Sequence, residues 1–254
     1  MNISTKRNRG AVRHSCFSKV GFLVMSLVLL LLVTAAASAE SQSLDQRLQV
    51  TDQQELAAVQ RAQQLVAGKG GKPRIVATST ATVEICRRLH LDLVGLCSST
   101  VTKIPKEYKK LSKVGTAMSP DMEKVSALQP DWILSPISLS SDLKPKYDAV
   151  NSQYAFLNLN SVEGMYRSIW EMGQIFDRSK EADKLIQEFK TFYNGYQKKN
   201  SGKKKPKVMV LMGLPGSYII ATPKSYVGNL VELAGGEMFT KVKSRHFSMS
   251  IPKI

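Results

Sequence analysis

Two short hydroxyl runs and one methionine are the residues of this chain best placed to touch a ligand. Thr78, Ser79 and Thr80 end the apolar run that starts at Arg74, and Ser98, Ser99 and Thr100 follow a second run, Leu91-Asp-Leu-Val-Gly95. Hydroxyls and backbone N–H groups in such places hold carboxylates, although the same residue types are also favoured in turns and helix caps. Met118 stands on a loop just before a helical pattern, outside its apolar stripe, so its thioether is free to face something other than core. No His/Cys cluster has zinc spacing, and no nucleophile–base or carboxylate pair stands at suggestive spacing. The chain reads as a binder, not an enzyme.

The elements that position these residues follow from pattern. Arg74 to Thr78 and Leu91 to Gly95 are strand-like, and Ala81 to His90 between them is helical, with Val83, Ile85, Cys86 and Leu89 apolar. Strand, helix and strand over so short a stretch imply a βαβ unit and a parallel sheet, whose ligands bind beyond the carboxyl ends of the strands. His90 is expected to close its helix, where a cation suits the dipole. The stretch from Val114 to Pro136 reads as loop, helix, turn and strand. Ser119 is expected as N-cap, with Pro120 at the first helical position. Met122, Val125 and Leu128 recur every three residues until Pro130, and Trp132-Ile-Leu134 is a buried strand.

This segment, Ser119-Pro-Asp-Met-Glu123 with its helix, Pro130-Asp131 and strand, resembles a signature of ABC-transporter substrate-binding proteins for cobalamin, iron-siderophores and haem. The phrase Gly213-Leu-Pro-Gly-Ser-Tyr218, with Ser225-Tyr-Val-Gly-Asn-Leu-Val231 and Ala234-Gly-Gly-Glu237, is similar to the haem receptors of Gram-positive iron-regulated surface uptake systems. The resemblance implies an α/β, two-lobed periplasmic-binding-protein-like fold: a parallel-sheet lobe, a long spine helix and a second α/β lobe. It implies haem as the transported ligand and Met118 as a donor to its iron, while Thr78, Ser79, Thr80, Ser98, Ser99 and Thr100 lie beyond strand ends, where a parallel sheet binds its ligand. It implies as partners an ABC permease and ATPase of a haem importer, and upstream cell-surface haem proteins. The alternatives are a siderophore or cobalamin receptor, or a non-binding remnant. In the haem receptors the second donor is a second-lobe histidine; the resemblance places it beyond Ile254, and His246 does not match its position.

The address is legible too. Lys6, Arg7, Arg9, Arg13 and Lys19 precede the apolar run Gly21 to Val33, and Ala37-Ser38-Ala39 offers a cleavage site. Residues 1–39 are thus a signal peptide, with an uncleaved membrane anchor as the alternative. Export to the extracellular face of a Gram-positive-type membrane is expected. Lipid-bearing receptors of this kind carry a cysteine just after the apolar run, but Cys16 precedes it and none follows it there. Without its first 39 residues the chain's formal +16 becomes +11, with six lysines gathered between Lys198 and Lys207. That run reads as a solvated linker, or as a patch for anionic polymer or lipid heads; without interleaved aromatics it does not suggest nucleic acid. Cys86 and Cys97 are expected as buried free thiols.

Residues 40–73 are expected to be a flexible tether, helical in part. Residues 74–160 form the N-terminal α/β lobe, 161–200 a spine helix and 201–254 a partial C-terminal lobe. Ser161 caps the spine, whose apolar positions run from Val162 to Phe192 with a bend at Asp177-Arg-Ser179, giving a reach on the order of 55 Å. Only the 48 residues from Lys207 onward follow it, so about half of a family-sized second lobe is expected to be missing.

Overall fold

The computed structural model describes residues 43–68, 70, 72–214, 217–240 and 247–252. The expected export signal, Pro215-Gly216 of the glycine turn and His246 lie outside the described residues. Among those described, no helix is long and apolar enough to cross a membrane. Leu44–Ile254 form one compact unit.

In chain order the first lobe holds α1 (Leu44–Leu48), α2 (Gln53–Gly68), β1 (Ile75–Ala77), α3 (Thr80–Arg88), β2 (Gly95–Leu96), β3 (Ser112–Lys113), α4 (Met122–Ala127), β4 (Trp132–Pro136), α5 (Ser140–Asp148), β5 (Gln153–Leu157) and α6 (Val162–Ile175). Its five strands are all parallel in the order β3-β2-β1-β4-β5. Strand side chains alternate between faces, and the core splits accordingly. Ile75, Ala77, Trp132, Leu134 and Leu157 face α2, α3 and α6, while Val76, Ile133, Tyr154 and Phe156 face Val125 of α4 and Leu143 and Tyr147 of α5. Helices cover both faces, as a parallel sheet requires.

Several expectations need correction. The stretch read as a flexible tether is packed structure: Val59 and Val66 of α2 are buried in the main core. Their stripe is weak because only these two positions of α2 are buried, so most of the helix stays polar. The second strand starts at Gly95, not Leu91. The helix before it ends with His90 at φ 55°, Leu91 N–H donating to Cys86 O and His90 N–H to Arg87 O; the chain then needs the four residues from Leu91 to Val94 to reach the sheet. His90 therefore closes the helix through its backbone. Helix α5 was not anticipated, because Pro145 inside it reads as a breaker.

The spine also differs. Ser161 caps α6 as expected, accepting from Gly164 N–H at 2.9 Å. The chain does not continue straight into α7 (Ser179–Asn200) but reverses at Asp177, which has φ 55°. Tyr166 stacks on Phe189 with centroids 4.4 Å apart, and a Cβ on Gly173 would come 2.5 Å from Ala182 Cβ. Those pairings make α6 and α7 an antiparallel hairpin. The reach is that of α7 alone, 22 residues or ~33 Å.

Beyond it lie β6 (Lys207–Val208), β7 (Leu211–Leu214), β8 (Ser217–Ala221), α8 (Tyr226–Leu233), β9 (Glu237–Met238) and β10 (Phe247–Pro252). The apolar run after Lys207 is split into two strands, β6 and β7. β6 pairs in parallel with β9, and β7 joins β8 and β10 in an antiparallel sheet.

Candidate ligand-binding edge

Because the first sheet is wholly parallel, the segments after its strands emerge along one edge. Residues 78–80 follow β1, 97–102 follow β2, 114–121 follow β3 and 137–139 follow β4.

Thr78 and Ser79 are at that edge but turned into the protein. Thr78 Oγ1 lies 2.6 Å from Ser135 Oγ and donates to Leu134 O at 3.1 Å, and Ser135 Oγ lies 3.0 Å from Tyr147 Oη. This buried hydroxyl chain ties β1 to β4 and α5, and burial pushes the Tyr147 hydroxyl above its ordinary pKa. Ser79 is the N-cap of α3: Ser79 Oγ accepts from Thr82 N–H at 3.1 Å, and Thr82 Oγ1 accepts from Ser79 N–H at 3.1 Å. These two hydroxyls are committed to the scaffold, so the expectation that they face ligand is corrected. The first N–H groups of α3 have no intrahelical acceptor, and Thr80, half-buried, stands at this helix start. Ser99 Oγ accepts from Thr102 N–H at 2.9 Å, organising a turn in which Ser98 and Thr100 are exposed.

Met118 sits at the tip of a pinned loop. Gly115 and Pro120 form an antiparallel bridge at its base, and Asp121 N–H donates to Val114 O at 2.7 Å. Ser98 N–H donates to Gly115 O at 2.6 Å, so the Met118 loop is fastened to the second hydroxyl run. Gly115 has φ 93°, a conformation that only glycine adopts readily. Pro120 is drawn into the bridge, so the helix starts later than expected. Asp121, not Ser119, is the N-cap, with its carboxylate accepting from Lys124 N–H at 3.2 Å. The side-chain bond from Lys124 and that backbone bond hold the Asp121 carboxyl below its ordinary pKa. Met118 is 77 % exposed, against the habit of a large apolar side chain.

Sequence reasoning passed over Val101 and Ile137, exposed apolar residues on the segments after β2 and β4. The signal was the position itself, directly after a buried strand. Cys97, at the end of β2, is buried, and desolvation raises its thiol pKa; Cys86 is pushed up to about 12 for the same reason. Both are free, as expected. Among the described residues no group of three or more His, Cys, Asp or Glu is arranged to hold a metal ion.

The periplasmic binding protein family model matches residues 75–253, from β1 to the last described strand. The chain belongs to the periplasmic binding protein family. A curated member of that family, the high-affinity heme uptake system protein IsdE of Staphylococcus aureus, is 38 % identical over 183 residues. The match takes in 72 % of this chain and 62 % of that relative's length. Two solved periplasmic binding proteins share the architecture. An ABC transporter substrate-binding protein from Listeria monocytogenes EGD-e is 39 % identical with a TM-score of 0.66, covering 69 % of this chain and 68 % of that one. Staphylococcus aureus IsdE complexed with heme is 37 % identical with a TM-score of 0.65 over the same shares. The siderophore binding protein BauB, 18 % identical at a TM-score of 0.56, shows the shared fold alone. These relatives are substrate-binding transport proteins, not enzymes.

Proposed function

We propose that this chain is an exported receptor that binds haem at the carboxyl edge of its parallel sheet and hands it to the permease and ATPase of an ABC importer. Upstream cell-surface haem proteins would supply it. The observation that carries this reading is Met118, held 77 % exposed at the tip of a loop pinned by Gly115 and Pro120. A thioether is a recognised axial donor to haem iron, and the resemblance described from the sequence implies that role for Met118. Thr80, Ser98 and Thr100 carry hydroxyls along the same edge, Ser98 and Thr100 exposed and Thr80 half-buried, suited to the haem carboxylates.

The test is a hemin titration of residues 40–254 followed by Soret absorbance, alongside Met118→Ala. A saturable Soret shift is expected, with affinity at least about tenfold lower in the variant, the low end of what even outer-shell partners of a metal contribute. Saturable binding that Met118→Ala leaves unchanged would remove the sulfur from the site. Failure to bind hemin, with saturable binding of a ferric siderophore, would replace the cargo and keep the receptor.

A further inference from the structure

The lysine run is unused by the ligand edge. Lys198 and Lys199 occupy the last turn of α7, Lys203, Lys204 and Lys205 follow Gly202 (φ 76°), and Lys207 opens β6; all six are exposed. Lys203 Nζ donates to the neutral Asn200 Oδ1 at 3.0 Å, and among the described residues none of the six is in an ion pair with a carboxylate. No acidic residue occurs between Glu188 and Glu232. The carbonyls at the end of α7 attract cations, but they cannot balance six, and a block of like charge repels itself. Glu237 stands opposite Lys207 in the β6–β9 ladder, but one acid cannot balance six lysines, which leaves most of the balancing charge to come from outside the protein.

We propose that this surface docks on anionic phospholipid headgroups. Two observations favour a bilayer over other polyanions. Phe192 is 70 % exposed and stacks on Tyr196 with centroids 6.2 Å apart. Residues 192, 196 and 199 fall at i, i+4 and i+7, so an aromatic stripe leads along one helix face into the lysines. Exposed aromatic next to lysine is the composition of surfaces that settle at the headgroup level. The second is place: the apolar run Gly21 to Val33 directs the chain to a membrane. Three acids flank the patch: Glu188, beside Phe192; Glu232, whose carboxyl pKa is raised by burial and by Glu163 against the pull of Lys205; and Glu237, opposite Lys207 in the β6–β9 ladder. The inference is independent of the cargo.

Residues 40–254 serve for the test, since Leu44–Ile254 carry their own cores and the apolar leader would itself enter vesicles. Sedimentation with phosphatidylglycerol-containing vesicles is compared with pure phosphatidylcholine, in low and high sodium chloride. Binding is expected only to the anionic vesicles, lost at high salt and weakened roughly fivefold per lysine removed. Lys203→Gln/Lys204→Gln/Lys205→Gln should therefore lose roughly a hundredfold, while keeping the parent's melting temperature and hemin titration. Equal binding of parent and triple variant would overturn the proposal. So would equal binding to both vesicle types, or binding to soluble polyphosphate without binding to vesicles.

Discussion

Gly115→Ala is the sharpest probe of the Met118 loop. At φ 93° an L-residue pays about 1–2 kcal/mol for the left-handed backbone. The new Cβ would also lie 2.8 Å from Ser119 O and 3.0 Å from Asp121 N, both backbone atoms unable to rotate away. Together these put about 2–3 kcal/mol into the closed loop, within the range for one strained residue. The bonds that close it, Ser98 N–H to Gly115 O and Asp121 N–H to Val114 O, contribute about 1 kcal/mol each. Penalty and closure are of similar size, so the loop should spring open and not drag the fold with it. Global destabilisation is then capped near ~2 kcal/mol, a drop in melting temperature of about 4–8 °C for a unit of this size. Hemin affinity should fall as far as it does in Met118→Ala, because the sulfur is no longer presented. Gly195→Ala is the control: no atom lies within 4 Å of its added Cβ on helix α7, and it should stabilise by about 0.5–1 kcal/mol. Circular-dichroism melts and Soret titrations read both. A Gly115→Ala protein that melts and binds hemin like the parent would refute the reasoning about the loop.

Two further outcomes follow from groups away from the edge. Glu163 accepts from Arg47 Nη1 at 2.7 Å and from Asn229 Nδ2 at 2.9 Å, so Glu163→Ala should cost ~3 kcal/mol in urea unfolding by stranding both partners. A double-mutant cycle with Asn229→Ala should return a coupling of about 1 kcal/mol, and zero coupling would dismiss the link. Burial, then the hydrogen bond and charge of Glu55, push the Glu171 carboxyl up to about 8. The folded value lies above the unfolded one, so its contribution is complete below pH ~4.5 and is lost as pH rises through about 8. Melting temperature should fall across that window, and Glu171→Gln should flatten the slope; an unchanged slope would assign it to other groups.

Much of the first lobe could be read directly because its signals were local. Trp132-Ile-Leu134 is apolar on both faces and became a central strand, and Ser161 and Ser225 cap the helices they precede. The failures came where a distant contact overrode a local rule. Ser119-Pro120 has the form of a helix start, but the bridge to Gly115 takes Pro120 and leaves the cap to Asp121. Thr78 looked available until Ser135, far along the chain, claimed its hydroxyl. The bend expected at Asp177-Arg-Ser179 is there, but the apolar period that resumes after it carries no sign that the bend is a full reversal, which depends on the close approach of Gly173 and Ala182.

The brackets around α8 have a mechanical consequence. Asn229 Oδ1 accepts from Val162 N–H at the start of α6, while Gln197 and Tyr196 near the end of α7 donate to Leu233 O and Ala234 O. A body fastened at one point can swing in every direction, but one fastened at two keeps a single axis. The helix is clamped on a line only about one turn long, so its remaining freedom is a rocking of small amplitude. In the receptor proposed above, such a clamp would leave little binding energy to be spent on closing. The same stiffness works against letting go. Loosening the three bonds costs about 3 kcal/mol, so in the receptor proposed above only about one molecule in 150 would have them open at any moment.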